Sequence, residues 1–456
     1  MRTSRNCSPK IPPRTLGRGA TERPRILLAT SVNGTVSVEA RMAETRLVEN
    51  YHGETAGQRR IPRSLVIWDE TLRDGEQMPG VHFTPEEKLE IATLLSEAGV
   101  GVLNAGIPVV SEEEARAVRL IAGAGLRAKV LAAARTVPAD VEAVIDSGAS
   151  QIAVFVAASH VHLKYKLKMS QDQVYDASIR SVRRAKEAGL HVAFVTEDTV
   201  RAPLDFIERL YLDAQDAGAD RLVVADTVGI MTPLTFRWFL MEFQRRVHPR
   251  DLSVHCHNDF GLATANTLTA VECGAVAPQV CVNGLGERSG NASLEEVVLT
   301  LESLYGIRTG IHTDRLHELS RRVEELSGVP IAANKALVGY NAFSHEAGIH
   351  THGILAHTLT YEPLQPEVVG RRRQMILGKH TGKTAIAEKL KERGIVAPDP
   401  LLLELLRRVK FEAESRSKAE LRAFLRDYRA LFEHPGLSDE EFWAMVDAVG
   451  IRAVNA

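Results

Sequence analysis

This chain has few cysteines, almost no net charge and no long apolar run. The 456 residues contain four cysteines, Cys7, Cys256, Cys273 and Cys281, with no C-x-x-C pair among them, which argues against a disulfide framework and fits a reducing cytoplasm. No apolar run approaches the roughly 20 residues that a membrane-spanning helix needs. The net charge of −2 gives no global reason to bind nucleic acid or an anionic membrane. We therefore expect a cytoplasmic protein whose partners are small molecules or further copies of the chain.

The first 62 residues differ in composition from the rest. They are rich in Arg, Ser, Thr, Gly and Pro, and their first acidic residue is Glu22. A transit peptide would show an amphipathic stripe, which is missing here, and Met42 offers an internal start. We interpret residues 1–62 as a disordered extension or as the product of a misassigned start codon.

From residue 64 onward, a short apolar run followed by a helical pattern recurs about every thirty residues. The pattern predicts strands at 65–68, 101–106, 127–134, 151–156, 191–196, 221–225, 252–257 and 279–283, each followed by a helix. Several of these helices end in Ala-Gly or Cys-Gly, which is typical of glycine C-caps. Eight such units indicate a (β/α)8 barrel over residues 63–308; an open doubly wound sheet is the weaker alternative, because no G-x-G-x-x-G follows the first strand. Residues 309–456 are expected to form helical C-terminal subdomains.

Two histidines, His255 and His257, stand two residues apart at the end of the predicted seventh strand, where their side chains share a face. In a barrel, strands 1, 7 and 8 are neighbours, and catalytic groups sit at their carboxyl ends. Asp74 follows strand 1 and Asn291 follows strand 8, so these segments can converge. One carboxylate and two imidazoles form a common facial set for a divalent metal.

A 2-oxo acid is the natural chelator for such a metal, because its keto and carboxylate oxygens can both bind. Arg73 beside the carbonyl would stabilise the alkoxide formed on nucleophilic attack; its alternative role is a salt bridge to a barrel carboxylate. Gln77 and Glu76 would help to hold the substrate or the metal ligands, or would only cap the loop. Three histidines within residues 345–352 are hard to explain as core packing.

Four segments resemble the homocitrate synthase and 2-isopropylmalate synthase family, metal-dependent barrel enzymes that condense an acyl-CoA with a 2-oxo acid. These are Asp69 to Gln77, His255 to Asn266, Asn283 to Asn291 and Leu377 to Gly382, within a similarity that runs from about residue 64 to 395. The resemblance implies acetyl-CoA as cosubstrate and a divalent metal (Mg, Mn or Zn) on Asp74, His255 and His257, with Asn291 as a further ligand in the isopropylmalate type.

The same resemblance assigns roles to other residues. It makes Arg73 the electrophilic group and Thr227 a ligand of the 2-oxo acid carboxylate. It also implies a homodimer in which His350 and Tyr361, eleven residues apart, reach into the partner's site to help deprotonate the acetyl methyl. The family's regulatory domain is not expected in the residues after 395, which favours the short homocitrate synthase type.

The chain departs from its relatives where the substrate's side group would lie. Asn104 stands at a position where the family has Glu, and Ala133, Ala193 and Val195 replace the His, Arg and Ser of lysine-pathway homocitrate synthases. Losing one carboxylate at about 4–6 Å from an anion removes roughly 3–4 kcal/mol of repulsion at an effective dielectric of about 20. This change favours an anionic 2-oxo acid, and Arg135 and Glu197 persist nearby. We assign Glu197 to catalysis and Gln77, Asn104, Arg135 and Thr227 to substrate binding.

Several functions remain open at this point. The candidates are condensation with 2-oxoglutarate or oxaloacetate, condensation with 3-phosphonopyruvate as in phosphonate antibiotic pathways, and a 2-isopropylmalate or citramalate synthase. A related acyl-CoA lyase would carry a catalytic Cys in a glycine-rich loop, and Gly284 to Gly290 contains none. A metal-free scaffold would have lost at least one of Arg73, Asp74, His255 and His257, and all four are present.

Overall fold

The computed structural model describes residues 51–433 and 435–450. Within them, eight parallel strands close into a barrel in sequence order, which confirms the predicted fold. The strands are β1 Trp68–Asp69, β2 Val102–Asn104, β3 Lys129–Arg135, β4 Gln151–Ala157, β5 His191–Glu197, β6 Arg221–Asp226, β7 Leu252–Cys256 and β8 Ala277–Val280.

One helix follows each strand and packs on the outside of the barrel. The helices are α1 Pro85–Glu97, α2 Glu112–Gly123, α3 Pro138–Ser147, α4 Gln171–Glu187, α5 Leu204–Asp216, α6 Pro233–Val247, α7 Ala263–Glu272 and α8 Leu294–Leu299. Local sequence sets their ends: Thr84 forms a capping box with Glu87 at the start of α1. The predicted glycine C-caps adopt positive φ, for example +98° at Gly99 and +82° at Gly189.

The first and the eighth strand have other bounds in the structure than the sequence predicts. The first strand pairs with both neighbours only at Trp68–Asp69, rather than over 65–68. The eighth strand ends at Val280, and the chain then makes a 3-10 turn over Val282–Gly284 in which Asn283 has a φ of +60°. This turn leads the chain across the top of the barrel toward Asn291.

The barrel interior contains a few large side chains and several small ones. Trp68, Val102 and Leu131 pack with Ala133, Ala153, Ala193 and Val223 in a cluster separate from the larger one between strands and helices. Because alanine occupies three of these inward positions, the interior stays open toward the carboxyl ends of the strands. The cavity described below lies in that space.

Residues 51–62, which the sequence analysis assigns to the N-terminal extension, contact the outside of the barrel. Tyr51–Gln58 form a 3-10 helix. Arg59 pairs with Glu272 at 3.5 Å and stacks its guanidinium 4.4 Å from the ring centroid of Tyr305. The remainder of the predicted extension, residues 1–50, lies outside the described residues.

The C-terminal region is helical, as predicted, apart from two short strands. After the barrel come α9 Leu316–Ser327, α10 Gly348–Ala356, α11 Lys383–Lys391, α12 Asp399–Ser415, α13 Ala419–Glu433 and α14 Asp439–Val449. The strands β9 Ser344–His345 and β10 Gln374–Met375 pair in parallel with each other. In the described part of the chain, no helix combines the length and apolar character needed to cross a membrane.

Candidate active site

Asp74, His255 and His257 meet at the carboxyl end of the barrel, and all three are buried. The Nε2 atoms of the histidines are 3.0 Å apart and lie 3.5 and 3.7 Å from Asp74 Oδ2. Burial, reinforced by His255, lowers the pKa of His257 to about 3, so its imidazole is neutral at pH 7. Although burial opposes it, the Arg73 guanidinium and the two imidazoles hold the pKa of Asp74 well below its usual range. A carboxylate and neutral imidazoles facing one point are the donors that a divalent metal needs.

Asn291 completes the wall of this cluster. Its side-chain amide donates to Asp74 Oδ1 at 2.8 Å and to the carbonyl of Leu285 at 3.1 Å, while its buried Oδ1 has no hydrogen-bond partner. Gly286 must be glycine here, because its φ is +152° and a Cβ would collide with the Asn291 amide. An unpartnered buried carbonyl oxygen beside the cluster fits a metal, or a water bound to one.

Arg73 is held between two carboxylates. Its Nε donates to Glu70 at 2.6 Å and its Nη1 to Asp74 at 2.7 Å. Burial works against its charge, but the Glu70 and Asp74 carboxylates raise the pKa of Arg73, so the guanidinium stays cationic. The structure thus shows the salt bridges that the sequence analysis named as the alternative role, and it also places Arg73 on the wall of the cavity.

Asn104 shares Glu70 with Arg73. Its amide nitrogen lies 3.2 and 3.0 Å from the two carboxylate oxygens of Glu70. Both side chains are buried, so this hydrogen-bonded group forms a fixed wall between β1 and β2. The neutral amide predicted at this position therefore also positions the carboxylate that holds Arg73.

A cavity of about 350 Å³ opens beside this cluster at the carboxyl ends of the strands. Its walls combine the predicted site residues with apolar side chains from the middle of the barrel. The predicted residues that line it are Arg73, Asp74, Gln77, Asn104, Glu197, Thr227, His255 and His257. The apolar part consists of Trp68, Ile107, Ala133, Ala153, Phe155, Val195 and Ala225. The lining thus combines charged and polar groups at the ends of the strands with small or apolar side chains.

Glu197 and Thr227 face the cavity from β5 and from the end of β6. Both carboxylate oxygens of Glu197 accept hydrogen bonds from Lys166 Nζ at 2.7 Å. Thr227 Oγ1 accepts from the backbone N–H of Asp198 at 2.8 Å, which leaves its own hydroxyl proton available. Both residues therefore lie where the sequence analysis predicts.

Arg135 does not line the cavity. Its Nε lies 2.6 Å from Asp140 Oδ2, in the first turn of α3, and its side chain is 58% exposed. The buried Asp140 carboxylate also accepts from the Arg135 backbone N–H at 3.3 Å, so both ends of the residue are held at the rim. The structure therefore places Arg135 apart from the substrate-binding residues with which the sequence analysis grouped it.

His350 and Tyr361 form a pair away from the cavity of their own chain. Their ring centroids are 4.2 Å apart, and both side chains are exposed. The Tyr361 ring packs against Gly353 on the same helix, α10, where a Cβ would come within 2.7 Å of Tyr361 Cε2. The structure thus brings the two residues together but not to the metal-ligand cluster.

Sequence reasoning missed five polar residues that line the cavity: Glu70, Lys166, Gln279, Glu287 and Arg288. Glu70 lies within the first of the four family-like segments but had been given no role. Arg288 pairs with Asp259 at 2.8 Å and donates to the Thr227 carbonyl. Lys166 gave no signal in the sequence, because an exposed lysine in a loop is normally only solvated.

The comparisons with known proteins agree with this geometry. Residues 64–323 match the HMGL-like family, and residues 337–417 match a domain described as homocitrate synthase post-HMGL domain-like. The chain belongs to the HMGL-like family. The first match spans the barrel, and the second begins after α9.

The similar curated proteins are condensing synthases. Homocitrate synthase AksA of Methanopyrus kandleri is 48% identical over 366 residues, which are 80% of this chain and 92% of that protein. The 2-isopropylmalate synthase of Methanocaldococcus jannaschii is 49% identical over 335 residues, 74% of this chain and 64% of that protein. The (R)-citramalate synthase CimA of the same organism is 46% identical over 344 residues, 75% of this chain and 70% of that protein. These relatives confirm the predicted family and the predicted class of enzyme.

Among solved structures, the HMG-CoA lyase of Bacillus subtilis superimposes with a TM-score of 0.55 at 23% identity, covering 60% of this chain and 97% of that one. The hydroxymethylglutaryl-CoA lyase of Pseudomonas aeruginosa gives a TM-score of 0.55 at 21% identity, covering 60% and 96%. At this identity the likeness concerns the barrel fold alone.

Proposed function

We propose that this chain condenses acetyl-CoA with a 2-oxo acid and releases coenzyme A. The observation that carries the proposal is the placement of Arg73 against Asp74, next to His255 and His257, on the wall of the cavity. The relatives that are 46–49% identical are all synthases, which favours condensation over the reverse lyase reaction.

A divalent cation held by Asp74, His255 and His257, with the Asn291 carbonyl oxygen beside them, would polarise the keto group as a Lewis acid. The protein's own groups do the rest. The hydrogen bonds of Arg73 Nε and Nη1 leave its Nη2 donors for the keto oxygen, where negative charge develops. The Thr227 hydroxyl would donate to the substrate's carboxylate and fix which face of the ketone is presented.

The acetyl methyl must lose a proton before its carbon can attack. In a homodimer, His350 of one subunit, supported by Tyr361, would reach into the site of the other subunit and accept this proton. The pair is exposed and lies outside the cavity of its own chain. A second candidate base is Glu197 of the same chain, whose carboxylate is held in place by two hydrogen bonds from Lys166 Nζ. The new carbon–carbon bond forms at the keto carbon, the alkoxide is protonated, and hydrolysis of the thioester releases coenzyme A.

Two classes of 2-oxo acid are candidates. An anionic side group, as in 2-oxoglutarate, oxaloacetate or 3-phosphonopyruvate, is favoured by the neutral Asn104 and by Lys166, whose side chain is 54% exposed and which can turn from Glu197 to a substrate anion. The similarity to a homocitrate synthase over 92% of that protein points the same way. The apolar wall of Ala133, Ala153, Phe155 and Val195 favours instead a small apolar group, as in 2-oxoisovalerate or pyruvate.

The experiment is an assay of free coenzyme A released from acetyl-CoA with each of five acids: 2-oxoglutarate, oxaloacetate, 3-phosphonopyruvate, 2-oxoisovalerate and pyruvate. A kcat/KM at least about tenfold higher for one anionic acid supports the first candidate, since tenfold corresponds to about 1.4 kcal/mol of transition-state binding. A preference for 2-oxoisovalerate or pyruvate rejects it in favour of the second. No release with any acid rejects the proposed function.

A further inference from the structure

The loop between β4 and α4 carries a concentration of positive charge at the rim of the cavity. Residues 158–169 include Lys164, Lys166 and Lys168, two histidines and no acidic residue. The segment His162–Leu167 forms a π-helix, a rare turn that is common at functional sites. Leu163 is buried and anchors the loop, while Lys166 turns inward to Glu197 and lines the cavity. The loop is therefore continuous with the active site.

Three further side chains of this loop, those of Lys164, Tyr165 and Lys168, are exposed to solvent. Tyr165 is 68% exposed, and the Lys164 ammonium lies 4.9 Å from the centroid of its ring. Lys168 ends the π-helix in a left-handed conformation with a φ of +53° and donates its backbone N–H to the Leu163 carbonyl, so its exposed side chain leaves the same turn. An exposed aromatic ring, with one lysine against it and a second leaving the same turn, suits a ligand with a flat heterocycle and phosphate groups.

We propose that this loop binds the nucleotide end of coenzyme A, the 3′-phosphorylated adenosine diphosphate. Tyr165 would stack on the adenine, and Lys164 and Lys168 would pair with the phosphates. The inference rests on the proposed function, which places the thioester in the cavity. Lys166 of the same loop lines that cavity, so the loop lies at the rim past which the rest of the cosubstrate would extend. The nucleotide, at the far end of the cosubstrate, would then rest on this loop.

The test compares acetyl-CoA with acetyl-pantetheine, which carries the same thioester but no nucleotide. The variants are Lys164→Gln/Lys168→Gln and Tyr165→Ala, assayed at saturating 2-oxo acid. We expect the KM for acetyl-CoA to rise about tenfold in each variant, with kcat and the KM of the 2-oxo acid unchanged. With acetyl-pantetheine, variants and unmodified enzyme should be equal. The KM for acetyl-CoA should also rise with salt in the unmodified enzyme and do so less in the double variant.

The matched control is Lys389→Gln/Lys391→Gln on α11, two lysines with side chains 50% and 63% exposed. It should leave every constant unchanged. An unchanged KM for acetyl-CoA in the loop variants, or an equal loss with acetyl-pantetheine, overturns the inference. If the unmodified enzyme releases no coenzyme A with any acid, the proposed function fails instead. Calorimetric binding of coenzyme A then tests the loop directly: weaker binding by the double variant supports it, and equal or absent binding rejects it.

Discussion

The Asn104 amide donates to both carboxylate oxygens of Glu70, and Glu70 in turn accepts from Arg73 Nε. Asn104 is therefore tied through Glu70 to the guanidinium that we propose at the keto group. An effect of Asn104 on substrate choice would therefore pass through Glu70 and Arg73 as well as through direct contact. Substitutions at this position test both routes.

Replacing Asn104 by Glu would set a second carboxylate against Glu70. At about 4 Å and an effective dielectric of about 20 the repulsion is roughly 4 kcal/mol, so we expect kcat/KM to fall for every acid and most steeply for the most anionic one. Asn104→Leu removes the donor without adding charge and should lower kcat/KM by about tenfold for all acids alike, the usual loss for a hydrogen bond to a charged group. Steady-state kinetics on the five acids checks both. An equal effect of Asn104→Glu on all acids would contradict the charge argument.

The metal prediction concerns His257. Its neutral imidazole is one of three donors, so His257→Ala should lose most bound metal and lower kcat by about a thousandfold or more. Exhaustive EDTA treatment of the unmodified enzyme should have the same effect, reversed by adding Mg²⁺, Mn²⁺ or Zn²⁺. Metal content by plasma mass spectrometry and coenzyme A release are the measurements. His248→Ala, an exposed histidine just after α6, is the control. Full activity of metal-free enzyme would show that the cluster is not a metal site.

Completion of the site by the partner subunit can be tested by mixing inactive variants. Arg73→Met and His350→Ala should each be inactive alone. After unfolding and refolding together, we expect about a quarter of the wild-type activity, because half of the dimers are mixed and each mixed dimer has one intact site. Refolding of each variant alone is the control. Recovery of no activity, with mixed dimers demonstrated by a tag, would place His350 in the site of its own chain. Activity of His350→Ala alone would place it outside catalysis.

Lys88 offers a prediction about stability. It is buried on α1 and its Nζ lies 2.6 Å from Glu76, in the loop that carries Arg73 and Asp74, and 2.5 Å from Glu114 on α2. Lys88→Met would leave two partly buried carboxylates without their shared cation and should cost up to about 3–5 kcal/mol of unfolding free energy. Denaturant unfolding at pH 8 measures this loss.

The loss should depend on pH. Burial, only partly offset by Lys88, already raises the pKa of Glu114 above its ordinary value. In Lys88→Met the folded state would bind a proton more tightly than the unfolded state does, so the deficit shrinks as the pH falls from 8 toward 5. Lys88→Met/Glu114→Gln should recover part of the stability at pH 8. A pH-independent deficit would indicate lost packing rather than unpaired charge.

Much of the site follows from strand order and alternation. Once eight strand–helix units predict a barrel, the carboxyl ends of strands 1, 7 and 8 must be neighbours, and His255 and His257 must share a face. That is why Asp74, His255, His257 and Asn291 could be grouped without a structure. Arg135 obeys the same alternation, yet its side chain is long and Asp140 lies within its reach. No periodicity in the sequence indicates which partner a flexible guanidinium selects.

The sequence by itself determined the barrel, its closure order and the residue types at the end of each strand, because local periodicity and glycine caps act over a few residues. Only the tertiary structure decided which of those residues touch. It joined Asn104 to Glu70 and Arg73, and it brought Lys166, in the loop after β4, to Glu197 at the end of β5. It also placed His350 and Tyr361 next to each other and outside the cavity of their own chain. These contacts depend on side-chain packing between segments distant in the chain, where distances of a few ångströms decide whether charges pair.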